Sequence, residues 1–421
     1  MSTFHYVGDR LCVEQVPLAD IAAEIGTPCY VYSRAALVTA YRSFAQALGA
    51  QPGLIAYAVK ANSNLALLAI LADLGAGFDI VSQGELERVL AAGGRPERIV
   101  FSGVGKTEAE MRRALTAGIR CFNVESAAEL ARLNAVAGAL GLRAPVSLRV
   151  NPDVDARTHP YIATGLKESK FGVPLAEAIA WYREASRFPH LAFIGIDCHI
   201  GSQLTELGPF ADALDRVLPE VLALRQAGLP LRHVDVGGGL GIRYRDEDPP
   251  SVTAYMALIK ERLAVHGLQD IELILEPGRA IVGASGALLT RIEYIKETEE
   301  RRFAITDAGM NDLIRPALYE AWQEVRAVLR RHETPCAYDV VGPVCESADV
   351  LGRGRQLAIE PADILAILDA GAYGFAMSSQ YNARPRAAEV LVDGARFHVV
   401  RTRESYADLM RGERIVREAL L

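Results

Sequence analysis

The stretch LIAYAVKANSNLALLAILADLGAGFDIVSQGELERVLAAGGRPERIVFSG, residues 54–103, contains one structural cycle and its repetition. An apolar run, Leu54–Val59, ends in Lys60-Ala61-Asn62 and gives way to a helical stretch, Leu65–Leu74. A second run, Gly77–Val81, carries Asp79, ends at Ser82 and is followed by Gln83–Ala92. A third, Arg98–Phe101, ends at Ser102-Gly103. Apolar runs this short read as buried strands, and strands alternating with helices imply a parallel sheet.

Outward from this stretch the cycle continues. Strands are expected at Ile119–Val124, Val146–Val150, Phe193–Cys198, His233–Val236 and Ile271–Leu275. Helices are expected at Thr107–Ala117, Ser126–Leu140, Leu175–Arg187, Pro209–Ala227 and Val252–Val265, with Ser126 and Glu129 spaced as a capping box. Eight strand–helix units over roughly 230 residues predict the α/β class and a closed (β/α)8 TIM barrel across residues 34–283. An open doubly wound sheet is the alternative that the pattern alone leaves standing. After Gly283 the runs Gly286–Ile295, Phe303–Thr306, Tyr338–Val341, Ile364–Ile367, Glu389–Val392 and Arg396–Val400 come with turn signals and little helix. Asp393-Gly394 predicts a tight hairpin between the last two. The opening residues do not fit the barrel cycle. The expectation is therefore a second, mostly β domain built from residues 1–33 and 284–421.

Composition narrows the function. The 421 residues carry 45 Lys and Arg against 52 Asp and Glu, a net charge of −7, with no basic run, which argues against a nucleic-acid partner. The longest apolar run without glycine, Leu65–Ala72, is far below the roughly 20 residues that span a bilayer. Asp9, Arg10 and Glu14 stand where a secretion signal needs an apolar core, so the cytoplasm is the expected location. Cys12, Cys29, Cys121, Cys198, Cys336 and Cys345 form no CxxC pair, which suggests free thiols and no metal site.

Polar residues cluster just after the strands: Lys60 after the first, Asn123 and Glu125 after the fourth, Arg149 and Asn151 after the fifth, His199 and Ser202 after the sixth, Glu276 and Arg279 after the eighth. In a parallel barrel these points share the face that carries active sites. Gly237-Gly238-Gly239-Leu240-Gly241 follows the seventh strand. It is neither a Walker loop nor a dinucleotide fingerprint, but loops after strands seven and eight of barrels often hold a phosphate. A Lys at an apolar barrel mouth is expected to be desolvated and nucleophilic. A phosphate site opposite such a Lys suggests pyridoxal phosphate, although a cofactor-free aldolase fits the same residues. His199 could stack on a pyridine ring, and Glu276 could keep the ring nitrogen protonated.

These segments together resemble the diaminopimelate decarboxylase family. The resemblance rests on Tyr57–Asn62, His199–Gln203, Gly237–Gly241, Glu276-Pro277-Gly278-Arg279, Gly342–Ser347 and Gly371–Gly374, in order along nearly the whole chain. It implies pyridoxal 5'-phosphate on Lys60, His199 over the ring and Glu276 at the ring nitrogen. Ser202, Gly238, Gly239, Gly278, Arg279 and Tyr373 would hold the phosphate, and Asp79, Arg149 and Asn151 would line the pocket. Cys345 would donate a proton after decarboxylation, supplied by the partner subunit of a homodimer with shared sites. Read by itself, Cys345 would be a buried apolar thiol. The segment Asn311–Tyr319 is similar to the family's substrate segment. Arg279, Arg315, Tyr319 and Tyr373 would contact the substrate around its distal carboxylate, and Glu346 would take its distal ammonium. That set suits meso-2,6-diaminopimelate, decarboxylated at its D-centre to L-lysine and carbon dioxide as the last step of lysine biosynthesis. A decarboxylase of D-lysine, ornithine or arginine type, or a racemase of the same fold, is the alternative. Trp322-Gln323 departs from the pattern expected after Tyr319.

Overall fold

The computed structural model describes residues 3–154 and 170–416. The chain divides into two compact units, Ala35–Ala284 and Met1–Arg34 with Ser285–Leu421.

The first unit is a closed barrel of eight parallel strands: Gly53–Ala58, Gly77–Ile80, Ile99–Phe101, Cys121–Val124, Ala144–Asn151, Leu191–Asp197, His233–Asp235 and Glu272–Leu275. Closure is direct, since Leu273–Leu275 pairs in parallel with Gly53–Ile55. Leu54, Ala56, Val100, Cys121 and Ile274 form a buried cluster within it. Apolar strands buried on both faces explain why these segments read as unbroken hydrophobic runs.

Several barrel helices start where a side chain accepts an unpaired first-turn N–H. Asn64 accepts from Ala66 at 2.9 Å, Ser82 from Glu85 at 3.2 Å and Ser251 from Ala254 at 3.1 Å. A complete capping box lies at Thr107 and Glu110. At Ser126 only half of the expected box forms. Ser126 accepts from Glu129 N–H at 3.2 Å, but the Glu129 carboxylate accepts from Glu125 N–H at 2.9 Å and from the buried Lys106 ammonium at 2.7 Å. A buried cation outcompetes the cap for that carboxylate. The helix Arg34–Leu48, which precedes the first barrel strand, lies outside the strand–helix cycle expected from the sequence.

The second unit is mostly β. Its longest strand, Gly286–Glu297, pairs antiparallel with Arg302–Thr306, Ile364–Ile367 and Cys29–Ser33. Cys29–Ser33 in turn runs parallel to Ala388–Asp393, so the N-terminal segment is built into this sheet. The hairpin at Asp393-Gly394 forms, with Gly394 at φ +62°. Strand Val350–Leu357 had no legible apolar run because Gly352, Arg353, Gly354 and Arg355 interrupt it. Gln323 is fully buried and donates to Leu368 O at 3.1 Å, while Arg355 lies over the Trp322 ring. The unexpected Trp322-Gln323 pair is thus a packing strut.

Among the described residues, no helix is long and apolar enough to cross a membrane.

Candidate active site

The C-terminal ends of the barrel strands bring together most of the residues singled out in the barrel sequence. Lys60 sits in a single 3-10 turn, Val59–Ala61, directly after the first strand. Its ammonium pairs with the carboxylate of Asp79, wholly buried on the second strand. The Lys60 side chain is 37% exposed. The lysine is therefore matched by a buried carboxylate, where the sequence suggested an apolar surround.

Three acids from strands six, seven and eight meet beside it. Asp197, Asp235 and Glu276 each place a carboxylate oxygen within 4.8 Å of the others, and all are buried. Three carboxylates cannot all ionise at this spacing in a dry site. Burial, then Asp235 and Asp79, push the Glu276 carboxyl well above its ordinary range. Burial and neighbouring Asp79 push Asp235 up to about 6, against the hydrogen bond it accepts from Gly237 N–H at 2.9 Å. Asp197 rises for the same reasons, burial first and then Asp235. Asn123 Nδ2 and Ser102 Oγ, each 3.4 Å from Glu276 Oε1, supply the polar contacts of that carboxyl. Arg149 lies 3.2 Å from Glu125 and 3.9 Å from Asp197. Burial alone would lower its guanidinium, but these carboxylates raise it.

His199 is fixed by the glycine-rich loop, because its Nδ1 accepts the Gly238 N–H at 3.1 Å. A Cβ at Gly238 would stand 2.3 Å from the carbonyl oxygen of Glu276. At Gly237, with φ +65°, a Cβ would stand 2.7 Å from His199 Nδ1. Gln203 ties the neighbouring loop down by a paired contact with Ile242, 2.6 and 3.1 Å. Arg279 opens a short helix after Gly278 and donates to Tyr244 Oη at 2.7 Å and Ser202 Oγ at 3.1 Å. Asn151 Oδ1 accepts from Asp153 N–H at 2.9 Å and shapes the turn after strand five.

The donor set fits pyridoxal phosphate. There is one strand-end amine for its aldehyde, a buried acid for its ring nitrogen, and a backbone cradle that any side chain would fill.

The second unit holds the remaining candidates in three segments. Arg315, buried, and Tyr319 stand one turn apart on the short helix Arg315–Tyr319. Cys345 and Glu346, both exposed, lie between strands Cys336–Val341 and Val350–Leu357. The buried Asp349 links the Cys345 loop to the residues ahead of that helix, accepting from Val344 N–H and Met310 N–H at 2.6 Å each. Tyr373 adopts φ +56°, a conformation seldom held without a functional or packing reason.

Sequence reasoning gave no role to Asp197, Asp235, Asn123, Tyr244 or Asp349. The first three are legible in the sequence as strand-end polar residues, but not as partners of Glu276; Tyr244 and Asp349 carry no local signal.

Comparisons with known proteins agree on one family. The model of the pyridoxal-dependent decarboxylases, pyridoxal binding domain, matches residues 34–283. A diaminopimelate decarboxylase of Pseudomonas aeruginosa is 59% identical over 416 residues, 99% of this chain and 100% of that protein. A solved diaminopimelate decarboxylase of Helicobacter pylori, complexed with L-lysine, has a TM-score of 0.90 at 43% identity, covering 94% of this chain and 98% of that one. That of M. jannaschii has a TM-score of 0.94 at 38% identity, covering 100% and 99%.

Proposed function

The chain belongs to the diaminopimelate decarboxylases, within the pyridoxal-dependent decarboxylase family, and from that premise we propose that it converts meso-2,6-diaminopimelate at its D-centre to L-lysine and carbon dioxide. The observation that carries this reading is the barrel mouth, where Lys60, His199, Glu276 and the Gly237–Gly239 loop stand on the ends of four strands.

Pyridoxal phosphate, when bound, supplies a ring that accepts the electron pair left by departing carbon dioxide. Lys60 binds the cofactor through Nζ. Glu276 holds a proton for the ring nitrogen, a task suited to an acid raised by burial and like charges. His199, neutral and anchored through Nδ1, orients the ring. Ser202, Gly238, Gly239, Gly278, Arg279 and Tyr373 take the phosphate, and Asp79, Arg149 and Asn151 complete the pocket.

Residues 34–283 supply most of the cofactor contacts, and residues 284–421 supply most of the substrate contacts, with Arg279 and Tyr373 serving both. Arg315 and Tyr319, with Arg279 and Tyr373, bind the distal carboxylate and the region around it. Glu346 binds the distal ammonium. Cys345 gives its Sγ proton to the substrate carbon that has lost its carboxylate. In this reading the active enzyme is a cytoplasmic homodimer, and Cys345 and Glu346 serve the partner's barrel. Their exposure within one chain supports that arrangement.

Chiral product analysis tests the proposal. Incubation with meso-diaminopimelate should yield L-lysine alone. Isomerised diaminopimelate without lysine would point to a racemase.

A further inference from the structure

Cys345 and Glu346 are gripped by two adjacent residues that the reaction scheme does not use. The Tyr381 hydroxyl donates to Glu346 Oε1 at 2.5 Å. The side-chain oxygen of Asn382 accepts the Cys345 N–H at 3.2 Å. Both lie in one short turn, Tyr381–Ala383, in which Asn382 and Ala383 hold φ +56° and +53°. Asn tolerates that region and Ala does so at a cost of about 1 kcal/mol, so surrounding contacts must fix the turn.

Those contacts are present. Tyr381 N–H donates to Ser379 Oγ at 3.3 Å, Ser379 N–H to Asn311 O at 2.8 Å, and Arg384 to Asp307 O at 2.8 Å. The turn is thereby tied to the segment around Met310 that Asp349 links to Val344. A ring of hydrogen bonds surrounds the Cys345–Glu346 pair. Tyr381 is 44% exposed, so its hydroxyl is not driven onto Glu346 by packing. A Glu side chain on an exposed loop samples several rotamers, and a donor on one oxygen restricts them.

We propose that Tyr381 is a positioning residue for substrate recognition: its hydroxyl fixes Glu346 Oε1 so that the other carboxylate oxygen faces the substrate's distal ammonium, while Asn382 sets the Cys345 backbone in register. The proposal rests on the assignment of Glu346 to that ammonium.

The test is a double-mutant cycle on the cofactor-loaded enzyme with meso-diaminopimelate, comparing Tyr381→Phe, Glu346→Gln and the pair. Tyr381→Phe should raise KM about tenfold with kcat changed less than about threefold, the loss expected for one charge-assisted hydrogen bond. The pair should be no worse than Glu346→Gln alone. Melting temperature and cofactor absorbance of Tyr381→Phe should match the unaltered enzyme. An unchanged KM in Tyr381→Phe, independent multiplicative effects in the pair, or a KM change accompanied by lost cofactor absorbance would each overturn the proposal. If Glu346→Gln itself leaves KM unchanged, the assignment of Glu346 fails, and the proposal with it.

Discussion

Gly238 donates its backbone N–H to His199 Nδ1 at 3.1 Å, so the loop after the seventh strand sets the tautomer of the histidine after the sixth. An imidazole accepting on Nδ1 carries its proton on Nε2 and is uncharged. Burial pushes its pKa well below the usual range, and the Arg149 and Lys60 cations add to the shift. His199 should therefore show no protonation step in nitrogen NMR of the cofactor-free protein between about pH 5.5 and 8. A midpoint near the free-imidazole value would contradict this.

Lys60→Ala should abolish covalent trapping of pyridoxal phosphate by borohydride, because among the described residues Lys60 is the strand-end lysine that pairs with the buried Asp79. Mass mapping of the unaltered protein should place the reduced adduct on Lys60. An adduct retained in the variant would remove Lys60 from its assigned role.

Asp235 makes stability depend on pH. Its folded pKa, about 6, lies above the ordinary carboxyl value, so the folded state binds the extra proton. Its contribution is full below the unfolded carboxyl pKa and is lost as pH rises through about 6. Asp235→Asn removes that loss and leaves a carboxamide oxygen for Gly237 N–H. The cofactor-free variant should gain stability over the parent on going from about pH 4.5 to 7, on the order of 2 kcal/mol. Parallel denaturation curves at the two pH values are the measurement, and an equal difference at both would contradict the shared-proton account of the acids.

Asp349→Ala leaves two N–H groups, the buried one of Val344 and the part-buried one of Met310, without their acceptor. The expected cost is about 2–4 kcal/mol in denaturant melts, with a fall in kcat as the Cys345 loop loses its anchor. Asp349→Asn, which keeps one acceptor oxygen, should recover part of both. A silent Asp349→Ala would show that the loop is held by other means.

The barrel was legible because its strands are buried on both faces and read as continuous apolar runs, and because Lys60, His199 and Glu276 stand just beyond them. The β unit was less legible. Val350–Leu357 is broken by glycine and arginine, and Cys29–Ser33 finds its partners more than 250 residues away. The same distance problem hid Tyr381 on Glu346 and Asp349 on Met310, since no local pattern records a contact across 35 or 39 residues. Glu129 shows the opposite failure: a correct local spacing overruled by Lys106, which arrives from another loop.

The central claim is the identity of the substrate. Its most direct measurement is carbon dioxide release by the purified, cofactor-loaded enzyme with meso-diaminopimelate against lysine, ornithine and arginine. Rapid release from meso-diaminopimelate with little from the other three is the predicted result. Faster turnover of lysine or ornithine than of diaminopimelate would contradict it.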